Sequence, residues 1–340
     1  GLEASGVAAL ARRRVRSACA ALLACACAAF APGAAALDPD LPPERYTVTR
    51  WNVDDGLPHS QIHDITQSDD GFLWVSTWEG AARFDGREFT EVGSLNHPDG
   101  RRLPSRLLWR GDDGSILAGV DYLGLMRVAP GGAVRPACPQ VPGLDAWQLA
   151  RGSGGAVWVA AVQGLYRLEP DGACVEVAGE GATGDQAVLA LLADEDGSLW
   201  IGNRRGLFRW SEGRLEALGD RLGLPPGEVR ALEKTAEGDV WVAGDHGVWR
   251  HRRGRIERQR SERAEGLLQD RQGALWVAAT DARLLRYWKD GWQALDARHG
   301  VEGYATGALF EGRDGLVWFG TTHGLFRVSD GPVWGVGLEH

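Results

Sequence analysis

Beyond residue 36 the sequence is short of the residues that usually carry chemistry. Five cysteines shrink to two, Cys138 and Cys174, because Cys19, Cys25 and Cys27 all fall in the first 36 residues. The remaining pair has no C-x-x-C spacing, which argues against a zinc site. There is no Gly-x-Ser-x-Gly elbow, no Gly-x-x-x-x-Gly-Lys-Ser/Thr phosphate loop and no His-Glu-x-x-His. His59 and His63 are four apart, but they follow Pro58 in a loop-like stretch, so no metal site is expected. No second apolar run of membrane-spanning length appears, and no stretch repeats its apolar residues with the 3.6-residue period of a helix. No catalytic residues and no cofactor are expected.

The first 36 residues stand apart. Arg12, Arg13, Arg14 and Arg16 precede an apolar, small-residue run from Ser17 to Phe30, and Ala34-Ala35-Ala36 leads into Leu37-Asp38-Pro39. Basic cluster, short apolar core and small-residue exit form the pattern of a secretory signal peptide over 1–36. An uncleaved anchor is the alternative. A lipidated Cys25 in Leu22-Leu23-Ala24-Cys25 ranks second, because the apolar stretch before it is very short. The only methionine is Met126, so the natural start is expected upstream, and 335–340 is expected to be a tail or vector remnant. Net charge is −9, and residues 1–36 contribute +3, which leaves −12 for the rest. A body that acidic argues against nucleic acid as a partner.

What is abundant is repetition. Asp70-Gly71-Phe72-Leu73-Trp74-Val75-Ser76-Thr77 is echoed by Asp196-Gly197-Ser198-Leu199-Trp200-Ile201-Gly202-Asn203 and by Asp314-Gly315-Leu316-Val317-Trp318-Phe319-Gly320-Thr321. The aromatic recurs at Trp74, Trp158, Trp200, Trp241, Trp276 and Trp318, with Leu117 in its place in the second unit; successive spacings are 43, 41, 42, 41, 35 and 42. The spacing of 35 marks a trimmed loop before the sixth unit. Each unit reads as four short strands separated by Asp/Gly turns. One such sheet cannot bury both faces, but seven stacked radially can. The expected fold is therefore all-β: a seven-bladed β-propeller of four-stranded antiparallel blades. Its span is 37–334, with blade cores near 62–92, 103–137, 144–177, 186–218, 228–258, 264–295 and 304–334. The strand-like segment Arg45–Trp51 is expected to close the ring, with Val333-Trp334 competing for that place. Export permits a disulfide. Cys138 and Cys174, however, fall near the outer strands of successive units, where bridging distance is doubtful.

Gly56-Leu57-Pro58, Ile62, Ile65 and the run from Asp70 to Thr77 with Gly80 resemble the two-component regulator propeller repeat. The units around Trp200 and Trp318 do so too, and weaker copies run from 45 to 330. The resemblance implies the periplasmic sensing region of a bacterial membrane receptor, followed in that family by a β-sandwich, a membrane span and a kinase or diguanylate cyclase. None of those later parts lies in this sequence. The resemblance thus implies membrane association only through missing parts or a lipid anchor, a homodimer in the full receptor, and no catalytic residues to carry over.

Residues that recur in every unit are read as scaffold. The six tryptophans are inter-blade packing. Arg83, Arg127, Arg167, Arg209, Arg250, Arg286 and Arg327 are expected to bond turn carboxylates or carbonyls. Function is sought where units differ, in the turns between second and third strands and in the blade-to-blade loops, which share one face. The candidate ligand residues are Trp78, Glu79, Tyr122, Gln163, Arg204, Arg205, Asp245, His246 and His323, with Asp121, Asp281, His59, His63, Arg106, Trp147 and Tyr304 nearby. Such a polar and aromatic rim suits an oligosaccharide or a polar, partly anionic small molecule. Two other classes stay open. A propeller lyase of the streptogramin-lyase type would use Glu79, His246 and His323 as an acid–base set; a protein-interaction platform would need no small ligand.

Overall fold

The computed structural model describes residues 36–179, 183 and 187–331. The expected signal segment up to residue 35, Val333-Trp334 and the tail at 335–340 lie outside the described residues. The chain from Tyr46 to Asp330 builds seven four-stranded antiparallel sheets. Strand β1 is Tyr46–Trp51. Blade 1 holds β2 (Ile62–Gln67), β3 (Leu73–Thr77), β4 (Gly80–Phe84) and β5 (Phe89–Glu91); blade 2 holds β6 (Ser105–Arg110), β7 (Ile116–Val120), β8 (Gly124–Val128) and β9 (Val134–Pro136). Blade 3 holds β10 (Ala146–Arg151), β11 (Val157–Ala161), β12 (Gly164–Leu168) and β13 (Cys174–Ala178). Blade 4 holds β14 (Val188–Ala193), β15 (Leu199–Asn203), β16 (Gly206–Ser211) and β17 (Arg214–Glu216). Blade 5 holds β18 (Val229–Lys234), β19 (Val240–Gly244), β20 (Gly247–Arg252) and β21 (Arg255–Arg260). Blade 6 holds β22 (Ala264–Gln269), β23 (Leu275–Ala279), β24 (Arg283–Trp288) and β25 (Gly291–Leu295), and blade 7 holds β26 (Ala305–Glu311), β27 (Val317–Thr321) and β28 (Gly324–Asp330). A single short helix, α1 (Leu218–Leu222), links blades 4 and 5, whereas blades 5 and 6 are joined by only Ser261–Arg263. That three-residue link is the physical form of the short spacing.

The turn between first and second strands repeats with the same bonds in every blade. The first turn residue donates to the carbonyl four residues on, as in Ser68 to Phe72 at 3.0 Å and Asp194 to Ser198 at 2.8 Å. The turn glycine sits at positive φ, 92° at Gly71 and 81° at Gly197, a conformation that costs other residues. This requirement is why a glycine recurs in register in these turns.

Across each central strand pair the anchor position faces the recurring arginine: Trp74 opposite Arg83, Leu117 opposite Arg127, and so on to Trp318 opposite Arg327. Seven apolar clusters then join each anchor to the following blade. Trp200 packs with Val240 and Val242 of blade 5, Trp276 with Val317 and Phe319 of blade 7, and Trp318 with Ile65 and Val75 of blade 1. Several indole N–H groups end on the turn side chain six residues earlier, Trp276 on Asp270 at 2.7 Å and Trp74 on Ser68 at 3.0 Å. Most of the arginines do bond turn carboxylates, as Arg83 with Asp70 at 3.2 Å and Arg250 with Asp239 at 2.8 Å. Two differ. Arg327 lies over Trp51 and Trp318, and Arg286, fully buried, bonds Tyr46, the Leu41 carbonyl and Gln293.

Strand β1 closes the ring by pairing with β28 from Tyr46 opposite Asp330 to Trp51 opposite Leu325. The residues before it act as a strap over blades 6 and 7. Leu37 is buried with Trp276 and Val301, and its N–H reaches the Gly315 carbonyl at 3.3 Å. Asp40 accepts from Trp288 and Lys289 at 2.8 and 2.7 Å.

The doubt about a disulfide is overturned: Cys138 and Cys174 are bridged, with Cα atoms 5.3 Å apart. Cys138 lies two residues past β9, in the link to blade 3, and Cys174 opens β13, so the bridge joins a blade-to-blade link to an outer strand rather than two outer strands. The bridge falls in the cluster anchored by Leu117, where Cys138 is 1% exposed.

Two stability predictions follow from this packing. Trp276→Ala is expected to cost about 3–5 kcal/mol in denaturant unfolding. Opening the bridge with Cys138→Ser/Cys174→Ser, which frees a loop of sequence separation 36, is expected to cost about 3–4 kcal/mol. A midpoint unchanged in either variant would contradict the role given to that contact.

Candidate functional site

Because the strands alternate in direction, the turns between second and third strands share a face with the blade-to-blade links. Backbone bonds tie them together: Asp121 to Pro104 at 2.9 Å, Val162 to Asp145 at 3.0 Å, Asp245 to Glu228 at 3.0 Å and Thr322 to Tyr304 at 2.9 Å. On this face a central cavity of about 940 Å³ opens, walled by the first strands of all seven blades.

Three of the nine candidate residues line that cavity: Tyr122, Gln163 and Arg204. Tyr122 is 88% exposed and sits at φ 68° on the turn between β7 and β8. Gln163 is committed to the scaffold, accepting from the Asp145 N–H at 3.1 Å and donating to the Gly143 carbonyl at 3.0 Å. Among the described residues Arg204 pairs only with Glu228, at 3.7 Å, and its side chain is 64% exposed. Trp78 stands beside the mouth, edge-on to His63 at 5.2 Å and beneath the Arg106 guanidinium at 5.3 Å. Glu79, Arg205, Asp245, His246 and His323 sit on the rim but not in the cavity wall. Asp245 accepts from the Glu228 N–H at 3.2 Å, His246 is bonded to the Pro226 carbonyl at 2.6 Å, and His323 contacts Thr322 at 3.1 Å. Glu79, His246 and His323, the set a lyase would use, come from blades 1, 5 and 7, and none of the three lines the cavity. Among the described residues, no group of three or more His, Cys, Asp or Glu is placed to hold a metal ion.

One placement needs correcting. His63, Arg106 and Trp147 were expected in blade-to-blade loops, but they lie within β2, β6 and β10. The first strand of each blade forms the channel wall, so its polar positions face water rather than a neighbouring sheet. A signal for this was present. In the first six units the residue eleven before the anchor is His63, Arg106, Trp147, Leu189, Arg230 and Glu265, a variable position that is always the second residue of the first strand. All six line the cavity, and Arg230, Glu265 and the adjacent Asp64 and Gln148 were not singled out from the sequence.

The mouth is two-sided. From blade 7 to blade 3 it carries Tyr304, Val53, Trp78, Tyr122 and Val162, all exposed. On blades 5 and 6 it is ionic: Arg230 pairs with Glu228 and, at 2.9 Å, with Glu265, and Arg263 reaches Glu265 at 3.1 Å and Asp245 at 3.4 Å. Arg106 is locked by both oxygens of Asp121 at 2.6 and 2.8 Å. His63 donates Nδ1–H to the Ser105 carbonyl at 2.8 Å, and burial lowers its pKa, which leaves a neutral ring with Nε2 as an acceptor. Asp64 has the opposite problem. Burial raises its pKa to about 7, although the N–H groups of Leu108 and Ile65 bond its oxygens. Part of its surface still faces the cavity.

Fold and mouth together define a closed seven-bladed propeller with a ligand-sized, mixed aromatic and ionic opening. Residues 56–79 match the model of the two component regulator propeller. No curated protein matches. Among solved structures, the extracellular domain of the hybrid two component system BT3049 from B. thetaiotaomicron is similar, with TM-score 0.72 and 16% identity over 84% of this chain and 41% of that one. The chain thus spans about two fifths of that domain's length. The extracellular domain of the BT4673 one component system from the same organism is similar at TM-score 0.66 and 17% identity, over 83% of this chain and 40% of that one. A streptogramin B lyase matches at TM-score 0.65 and 17% identity, over 85% of this chain and 99% of its own. At such identities these likenesses establish the propeller fold. No helix among the described residues is long and apolar enough to cross a membrane.

The raised Asp64 pKa gives a signed pH prediction. The folded state holds this proton more tightly than the unfolded chain, so Asp64 costs stability increasingly as pH rises from about 4 to 7. The melting temperature of Asp64→Asn relative to the parent is therefore expected to climb between pH 5 and pH 8. A difference that is flat with pH would show that Asp64 titrates normally.

Proposed function

We propose that this chain is the extracytoplasmic sensing propeller of a bacterial signal-transduction receptor, taking a polar small molecule or oligosaccharide at the channel mouth and doing no chemistry itself. The observation that carries this reading is the 940 Å³ cavity, whose lining includes the exposed Tyr122, Trp147 and the exposed Arg204. Sugar faces stack on aromatic rings, while hydroxyls and acidic substituents use fixed donors such as Arg204 and acceptors such as His63 Nε2. The repeat at 56–79 and the likeness to extracellular sensor domains support the receptor context. The bridge between Cys138 and Cys174 supports an oxidising compartment, in keeping with a signal peptide over 1–36. Output, membrane attachment and a homodimer would belong to the longer receptor.

Calorimetric titration with a panel of neutral and acidic oligosaccharides and small anions tests this. Saturable binding to at least one member is expected. Tyr122→Ala and Arg204→Ala should each weaken it about tenfold, the size of one lost stacking or charged hydrogen bond. Folded protein that binds nothing across the panel, or binding indifferent to both substitutions, would remove the mouth as the site.

A further inference from the structure

We propose a second site, for a multiply charged phosphate or sulfate group, in the groove between blades 5 and 6 on the face opposite the mouth. In an acidic chain of net charge −9, residues 252–260 read Arg-Arg-Gly-Arg-Ile-Glu-Arg-Gln-Arg. They form the hairpin from β20 to β21, whose two-residue turn is Arg253-Gly254. Both turn residues have positive φ, 50° and 78°. Turns of that kind favour Asn or Gly at the first position, and an arginine there costs on the order of 1 kcal/mol in backbone strain. The equivalent turns of blades 4 and 6 hold Glu212 and Lys289 at the same φ, 49° and 48°, so the backbone tolerates a charged residue there without selecting arginine.

A cavity of about 560 Å³ lies under this turn, with Tyr287 and Trp292 of blade 6 as its far wall. Arg250 and Arg252 are already answered by Asp239, at 2.5 and 3.4 Å. Arg253 and Arg255 also line the cavity, and among the described residues neither has a carboxylate within ion-pair distance. Two acids share the wall, Glu257 and Asp290, and Asp290 is held by the Tyr287 hydroxyl at 2.5 Å. Two unanswered guanidinium forks can together bind a dianion bidentately. A monocarboxylate would satisfy only one of them. Charged residues also guard exposed edge strands such as β21 against pairing. That role needs no walled cavity and predicts no anion affinity.

The test is titration of the folded chain with sodium pyrophosphate in 150 mM salt, alongside co-sedimentation with phosphatidic acid or phosphatidylcholine vesicles. The parent protein is expected to bind pyrophosphate saturably, phosphatidic acid vesicles selectively, or both. Arg253→Ala/Arg255→Ala should weaken whichever is seen at least tenfold, while Arg135→Ala, which removes an exposed charge on blade 2, should leave it unchanged. Pyrophosphate binding alone assigns the site to a free anion, and vesicle binding assigns it to a lipid headgroup. Absence of both, or equal loss in Arg135→Ala, overturns the site.

Discussion

The molecule depends on one repeated contact: an indole on the second strand of a blade, flanked across the sheet by an arginine and pressed into the next blade. A four-stranded sheet with both faces apolar has no stable existence in water. Each anchor therefore contributes stability only because a neighbour covers it, and the last neighbour must be the first blade. The circle makes the contacts mutually dependent. The arginine opposite each anchor covers the ring with its guanidinium, within about 6 Å in blades 1, 3, 5, 6 and 7, and in most blades spends its charge on the adjacent turn.

Where the pattern is broken, something else compensates. Blade 2 has Leu117 instead of an indole, and its interface with blade 3 is the one that carries the disulfide. At the ring's seam Arg286 leaves the turn and instead grips the strap through Tyr46 and Leu41. The strap and β1 thus bind the last two blades with side chains, backbone and a buried leucine together. Departures from a repeat are informative about assembly as well as about ligands.

The two faces divide the surface. One holds variable turns around the channel, where aromatic and ionic sectors sit on opposite arcs. The other holds the repeated acidic turns and, between blades 5 and 6, the basic hairpin. Residues that alternate along a strand serve different masters: one set packs between blades, and in the first strand the other meets channel water. This alternation lets a rigid ring carry variable chemistry at its mouth without disturbing the indoles.

How much of this was legible follows from the range of the interactions. Blade number, strand order, the turns and the ring-closing β1 could be read from Trp74, Gly71 and their equivalents, because hairpin turns and alternating burial are local properties repeated in register. The sequence by itself also determined which residues vary, and so pointed to Tyr122 and Arg204. It did not determine that Gln163 is spent on the Gly143 and Asp145 backbone, or that Glu79, His246 and His323 stay on the rim outside the cavity wall. Nor did it show that Asp64 is half-buried in the channel wall, or that Cys138 reaches Cys174. Those outcomes rest on the closure of the ring, which sets distances between residues far apart in the chain; only the tertiary structure decides them.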